Sequence, residues 1–185
     1  MAFAESNMLP LGTLAPYFEL PDTVSGKVLT LDQLQSDQAT VIIFLCNHCP
    51  YVMHVNPELV RLSREYLLKG VAFIAISSND VSRYPEDGPV KMKEVATNLG
   101  YPFPYLYDET QEVARAYDAA CTPDTYVFDG DLKLAYHGRL DDSRPRNDKP
   151  LTGGDLRAAL DAVLIGRSPD ATQYPSGGCS IKWKN

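Results

Sequence analysis

The sequence predicts an α/β domain: a central mixed β-sheet flanked by helices, with an N-terminal β-hairpin extension. Three observations carry that expectation. Residues 41–45 (VIIFL) and 71–76 (VAFIAI) are unbroken apolar runs rich in β-branched side chains, as strands buried on both faces of a parallel sheet require. The stretch between them, residues 50–69, repeats its apolar residues at helical spacing, so strand, helix and strand make a crossover joining parallel strands. Residues 126–128 and 133–136 flank Asp129 and Gly130, a strong hairpin signal.

Taken in chain order, residues 15–31 read as a hairpin: a short extended segment, a turn at Ser25 and Gly26, and a second short strand, with a helical turn at 31–35. The helix that starts at Pro50 sets Val52, Val55, Leu59, Leu62 and Tyr66 on one side and leaves Arg61, Arg64, Glu65 and Lys69 to solvent; Gly70 stops it. Pro57 lies inside that helix and predicts a kink, because the Met53 carbonyl loses its partner. Residues 79–88 are polar with Pro and Gly and predict a loop. Residues 89–99 open with proline and end before Gly100, which predicts a helix. A short strand is expected at 103–107, then a helix capped by Asp108 or Thr110 and reaching about Tyr117. A charged, proline-bearing loop at 139–150, a last helix at 156–164 capped by Thr152, and a tail at 166–185 complete what reads as a single domain over 1–185.

Two cysteines sit where the first buried strand must turn, in the segment CNHCPYV. Pro50 decides between them. A proline deep in a helix removes a hydrogen bond and clashes with the carbonyl four residues back, whereas at the first helical position it costs nothing. The helix therefore starts at Pro50 with Cys49 as its N-cap. A sulfur there meets unpaired backbone N–H groups and the positive end of the helix dipole, which stabilise the thiolate and lower a cysteine below its free pKa of about 8.5. Cys49 is the candidate nucleophile, and Cys46 is close enough in sequence to be its disulfide partner. Burial as two small apolar side chains is the competing reading. A pair three residues apart at a strand-to-helix turn, in a chain with four cysteines, points instead to redox chemistry.

Composition narrows the function class. At 185 residues the chain is long enough to bury a core without a disulfide framework. Seventeen Lys and Arg against 24 acidic residues give a net charge of −7 with no basic patch, so nucleic acid is not expected as a partner. The first twelve residues lack the basic region of a signal peptide, and no apolar run approaches a membrane span. A cytoplasmic location, with no membrane partner, is the expectation, and there cysteines are more often catalytic or metal-binding than structural.

Together the βαβ unit, the cysteine at its helix start, the CTPDTYVFD segment and the opening LGTLAPYFELPD with SGKVLTL resemble the thioredoxin fold. The likeness is to its redoxin branch, which includes the alkyl hydroperoxide reductase and thiol-specific antioxidant proteins, and it covers roughly residues 10–165. In thioredoxins the nucleophile lies five residues past the last strand aromatic and eight before the kink proline; Phe44, Cys49 and Pro57 repeat both spacings. The resemblance implies that Pro123 is cis and faces Cys49, and that Thr122, Pro123 and Pro50 line the substrate groove. Departures are equally specific. The second cysteine of the thioredoxin pair falls on Val52, and its buried aspartate falls near Ile43. The proline and threonine of the peroxidases fall on Ile42 and Cys46, and their arginine falls near Pro123.

A nucleophilic cysteine needs a second thiol to resolve its product. Cys46 is nearest in sequence, Cys121 lies two residues before Pro123, and Cys179 sits in a glycine-rich tail that can fold back or reach another subunit. His48 is a candidate to donate to the thiolate or protonate a leaving thiol, against the alternative of a turn residue. His54 and His137 read as packing or surface residues, and Arg139, Asp141 and Asp142 as a surface salt-bridge group. Cys46, His48, Cys49 and His54 include metal-ligand types, but CNHC is too tight for its side chains to converge easily and no second ligand pair follows. No metal and no cofactor beyond the thiols is therefore expected. The expected activity is thiol–disulfide oxidoreduction by Cys49 and Cys46, acting on a disulfide with a thiol reductant such as thioredoxin or glutathione. Reduction of hydroperoxides by the same thiols and a metal-binding module on the same fold are the alternatives.

Overall fold

Residues 2–184 are described by the structure, a computed structural model. Its centre is a five-stranded sheet in the order β6-β5-β4-β8-β9. The first three, β4 (Ala39–Phe44), β5 (Val71–Ser77) and β6 (Tyr105–Tyr107), are mutually parallel; β8 (Asp124–Asp129) pairs antiparallel with β4, and β9 (Leu134–Gly138) antiparallel with β8. Every residue of β4 is buried, which explains its lack of alternation: both faces of a central strand are covered. On one face Val41 and Ile43 pack with α2 (Pro50–Leu67), α3 (Pro89–Leu99) and α5 (Gly154–Leu164). On the other, Ile42 and Phe44 pack with Leu31 of α1 (Leu31–Leu34) and Ala114 of α4 (Glu112–Ala116). The expected mixed sheet with helices on both faces is thus the architecture found, and β2 (Glu19–Pro21) with β3 (Val28–Thr30) forms the N-terminal hairpin.

Several boundaries differ from the sequence expectation. The loop at 79–88 contains a 3₁₀ turn, Pro85–Asp87, whose aspartate is fully buried. The α4 helix is not capped by Asp108 or Thr110 in the usual way; Gln111, in the left-handed region at φ 66°, holds that place. Asp108 instead reaches past the turn, and its Oδ2 accepts the Ala114 N–H at 2.9 Å. The α5 helix likewise starts from Gly153, with Thr152 Oγ1 accepting the Gly154 N–H at 3.2 Å. Asp141 Oδ2 takes the N–H groups of Thr152 and Gly153, both at 2.7 Å, so this member of the charged loop is a buried anchor for the helix start rather than a surface group. Its neighbours do form ion pairs, Arg139 with Asp155 at 2.6 Å and Asp142 with Lys149.

The largest addition is a second sheet, in the order β1-β10-β7, built from β1 (Phe3–Glu5), β10 (Gly177–Ser180) and β7 (Cys121–Thr122). It brings the two ends of the chain together beside the cysteine turn, pairing Cys179 with Phe3 on one side and with Thr122 on the other. The glycines of SGGC make this possible. A Cβ on Gly178 would stand 2.0 Å from the Thr122 carbonyl oxygen, and one on Gly177 2.9 Å from the Phe3 ring. Gly178→Ala is therefore expected to destabilise the protein by about 1–3 kcal/mol and to push Cys179 out of register. A denaturation midpoint equal to that of the parent chain would contradict this.

Candidate active site

Cys49 is the N-cap of α2, with extended backbone (φ −76°, ψ 121°), and Pro50 is the first helical residue. The side chain is fully buried, at 0% exposure. As a thiol it donates to the Thr122 carbonyl at 3.2 Å. As a thiolate it has donors on other sides: the Cys46 and Cys179 thiols, the Val52 N–H from the first turn of α2, and the Cys179 N–H. Hydrogen bonding from Cys46 has the largest effect and outweighs the opposing cost of burial, pulling Cys49 down to about 5. The other sulfurs shift the opposite way. Cys46 is raised above the ordinary thiol range because its proton bridges to Cys49, helped by burial and by the Asp87 carboxylate nearby. Burial and the bond to Cys49 push Cys179 up to about 12. One sulfur is thus ionised at neutral pH and two beside it keep their protons.

The fold explains each position. The turn after β4 holds Cys46, whose Sγ lies 3.2 Å from Thr122 Oγ1. The peptide between Thr122 and Pro123 is cis, as the resemblance implied. Pro123 lines a shallow cleft together with Tyr51, Arg144, Ser176 and Gly177, beside the start of α2. Cys121 is buried on the same strand, and its Sγ approaches the carbonyls of Pro123 at 3.7 Å and Ser176 at 3.8 Å. Burial keeps its thiol raised. Of the four cysteines, all reduced, Cys46, Cys49 and Cys179 form one hydrogen-bonded group.

His48 points elsewhere. Its ring stacks on Tyr84, with centroids 5.2 Å apart and planes within 5°, and Nδ1 lies 2.6 Å from Asp87 Oδ2. Asp87 is the site residue that sequence reasoning missed. Its Oδ1 accepts the N–H of Asn47 at 2.7 Å and of His48 at 3.3 Å, and its Oδ2 accepts Asn79 Nδ2 at 2.8 Å. It therefore holds the backbone of the turn that carries Cys46 and Cys49. The only sequence signal was PEDGP, which reads as an exposed turn. His54 is engaged with Ser143 Oγ at 2.8 Å, and His137 is buried against Asp124 at 3.0 Å.

Because Cys49 ionises well below a free thiol, its alkylation rate is expected to rise with pH through about 5 and to be flat from about pH 6 to 8. Removing a donor moves that midpoint up, more in Cys46→Ala than in Cys179→Ala, following the order of their effects. The same ionisation stabilises the reduced fold fully above the unfolded thiol's pKa of about 8.5, progressively less as pH falls toward 5, and not below it. A parent-chain alkylation midpoint near 8.5 would refute this reading of the site.

A mixed sheet with a parallel core, a cysteine at the N-cap of the helix that follows its central strand and a cis-proline beside it are the features of a thioredoxin-fold thiol redox protein; the thiol three residues before that cysteine is this chain's departure from the thioredoxin pair. More narrowly, the chain belongs to the AhpC/TSA family, whose model matches residues 11–137. Solved structures agree. An uncharacterized conserved protein from Geobacillus kaustophilus is 63% identical, with a TM-score of 0.98 over 100% of this chain and 97% of that one. A hypothetical protein from Sinorhizobium meliloti 1021 is 44% identical, with a TM-score of 0.95 over 97% and 98%. Peroxidoxin BcpB from Mycobacterium tuberculosis, 21% identical with a TM-score of 0.61 over 86% and 98%, shares the fold. Comparison with curated proteins gives no match. Among the described residues, no helix is long and apolar enough to cross a membrane.

Proposed function

We propose that the protein is a thiol–disulfide oxidoreductase in which Cys49 attacks and Cys46 resolves. The Cys49 thiolate displaces one sulfur of a substrate disulfide, forming a mixed disulfide and releasing a thiolate. Cys46 then gives up its proton and attacks Cys49 Sγ, releasing the second substrate thiolate and leaving a Cys46–Cys49 disulfide. A thiol reductant such as thioredoxin or glutathione restores the pair, and the cycle needs no group beyond the thiols. A reducing, cytoplasmic setting suits it. The observation that carries this reading is that both sulfurs converge on Thr122, Cys46 Sγ 3.2 Å from its Oγ1 and Cys49 Sγ 3.2 Å from its carbonyl, an arrangement in which a proton on Cys46 favours the Cys49 thiolate. In this reading Thr122, which contacts both sulfurs, and Pro123, which lines the cleft beside the start of α2, would meet the substrate.

The test is non-reducing peptide mapping after mild stoichiometric oxidation. A Cys46–Cys49 bond is the expected product; a Cys49–Cys179 bond would transfer the resolving role to the tail. A second reading, reduction of hydroperoxides, is favoured by one observation: Cys49 is fully covered, which suits a small oxidant better than a protein disulfide. Here Cys49 would attack the peroxide, become a sulfenic acid as the alcohol leaves, and condense with Cys46 or Cys179 to release water. Peroxide consumption with a thiol reductant separates the two. Consumption no faster than by free cysteine would eliminate the peroxidase reading.

A further inference from the structure

We propose that Cys46, His48 and Asp87 form a binding site for a zinc-class divalent ion, filled in the reduced protein and vacated when Cys46 enters a disulfide. The three side chains offer a sulfur, a ring nitrogen and a carboxylate oxygen that all lie within 4.8 Å of one another. A tetrahedral zinc ion held at about 2.0–2.3 Å from each donor sets its donors about 3–4 Å apart, so shifts of about an ångström suffice to close the site. Mixed sulfur, imidazole and carboxylate donors suit zinc and not magnesium or calcium, and a thiolate with a carboxylate balances a divalent charge.

The state of His48 favours an ion over a simple pair with Asp87. Both of its ring nitrogens are buried without a hydrogen-bond partner, although Nδ1 is only 2.6 Å from Asp87 Oδ2. A sulfur, a ring nitrogen and a carboxylate oxygen that converge on one point are arranged as ligands of a common centre are. A buried ring nitrogen without a hydrogen-bond partner is costly, and coordination satisfies one of the two.

The surroundings are those of a supported site. Asp87 is held by the N–H groups of Asn47 and His48 and by Asn79 Nδ2, the His48 ring is fixed by stacking on Tyr84, and Cys46 Sγ rests against Thr122 Oγ1. The third donor comes from a distant loop, and so supplies what the CNHC segment alone lacked. Three protein donors leave the fourth position to water. The ion is not needed for the thiol cycle proposed above. It competes with that cycle, since Cys46 Sγ engaged by the ion is not free to resolve Cys49.

The experiment titrates the reduced, full-length protein with zinc alone, by calorimetry and by competition with a chromophoric chelator, and repeats the titration with cobalt. One ion per chain and a sulfur-to-cobalt charge-transfer band are expected. Cys46→Ser, His48→Ala and Asp87→Asn should each weaken binding by roughly 100-fold or more, and Asn79→Ala by about 10–100-fold. His54→Ala should leave it unchanged, and the disulfide-oxidised protein should not bind. Failure of the reduced parent chain to bind zinc overturns the proposal whatever the variants do. So does binding that survives both His48→Ala and Asp87→Asn, with circular dichroism showing the variants folded, because that is binding by cysteines alone.

Discussion

Cys49→Ser is expected to lower disulfide or peroxide turnover at least about 10³-fold, to the rate of an unassisted thiol, while leaving the fold intact. Serine preserves the N-cap position and fits the volume, but its hydroxyl does not ionise near neutral pH. The donors that hold the thiolate, from Cys46, Cys179 and the Val52 N–H, then face a group that cannot use them for catalysis. Cys46→Ser should behave differently. It keeps the attack by Cys49 and loses the resolution, so protein accumulates as a mixed disulfide with the substrate, detectable as a mass adduct. The pair of variants thus separates attacker from resolver. Turnover in Cys49→Ser within about tenfold of the parent chain would remove Cys49 from the nucleophilic role.

Asp124→Ala is expected to cost about 2–5 kcal/mol, the largest stability loss from a single side chain near the site, because it leaves buried donors without an acceptor. The carboxylate is fully buried next to Pro123 and collects three donors: Ser6 Oγ at 2.7 Å, His137 Nε2 at 3.0 Å and Tyr126 OH at 3.2 Å. His137 Nδ1 accepts the Leu9 N–H at 3.0 Å, so the ring proton sits on Nε2 and points at Asp124. Ser6 also bonds the Ser176 backbone, at 3.0 Å in each direction, and thereby ties the N-terminal segment to the tail that carries Cys179. Alanine would strand the Ser6 hydroxyl and the His137 Nε2–H, while the Tyr126 hydroxyl keeps the Tyr117 carbonyl at 3.0 Å as its acceptor. The midpoint of thermal unfolding should fall by roughly 10 °C, while Asp124→Asn, which retains acceptors, should fall less. A shift under about 2 °C in Asp124→Ala would show that this network is not holding the two chain ends together.

Much of the fold was legible because its signals are local. The runs at 41–45 and 71–76 became β4 and β5, and Pro50 marked the start of α2 to the residue, since a proline tolerates only the first helical turn. The assignment of Cys49 to the N-cap followed from that proline alone. Boundaries set by long-range packing were not legible in the same way. Asp108 looked like a cap, yet its carboxylate is drawn inward to Ser78 Oγ and the Ala114 N–H, and the helix starts from a left-handed Gln111 instead. The 79–88 stretch looked solvated by composition, yet the amide of Asn79 and the carboxylate of Asp87 are both buried and bonded to each other.

The reactive end of the helix is written in a few consecutive residues. A strand too apolar to be exposed on either face, a cysteine and then a proline specify one sulfur among four at a helix N-terminus, through sterics and backbone electrostatics that act within a turn or two. What surrounds that sulfur depends on the packed molecule. Most of the chain separates Cys179 from Cys49, and Asp87 lies in a loop beyond the next strand. Their approach requires β10 to pair between β1 and β7 and a buried turn to accept the backbone N–H groups of Asn47 and His48. Such contacts form because the packed sheets bring distant segments together, and no local pattern of residue types encodes that distance.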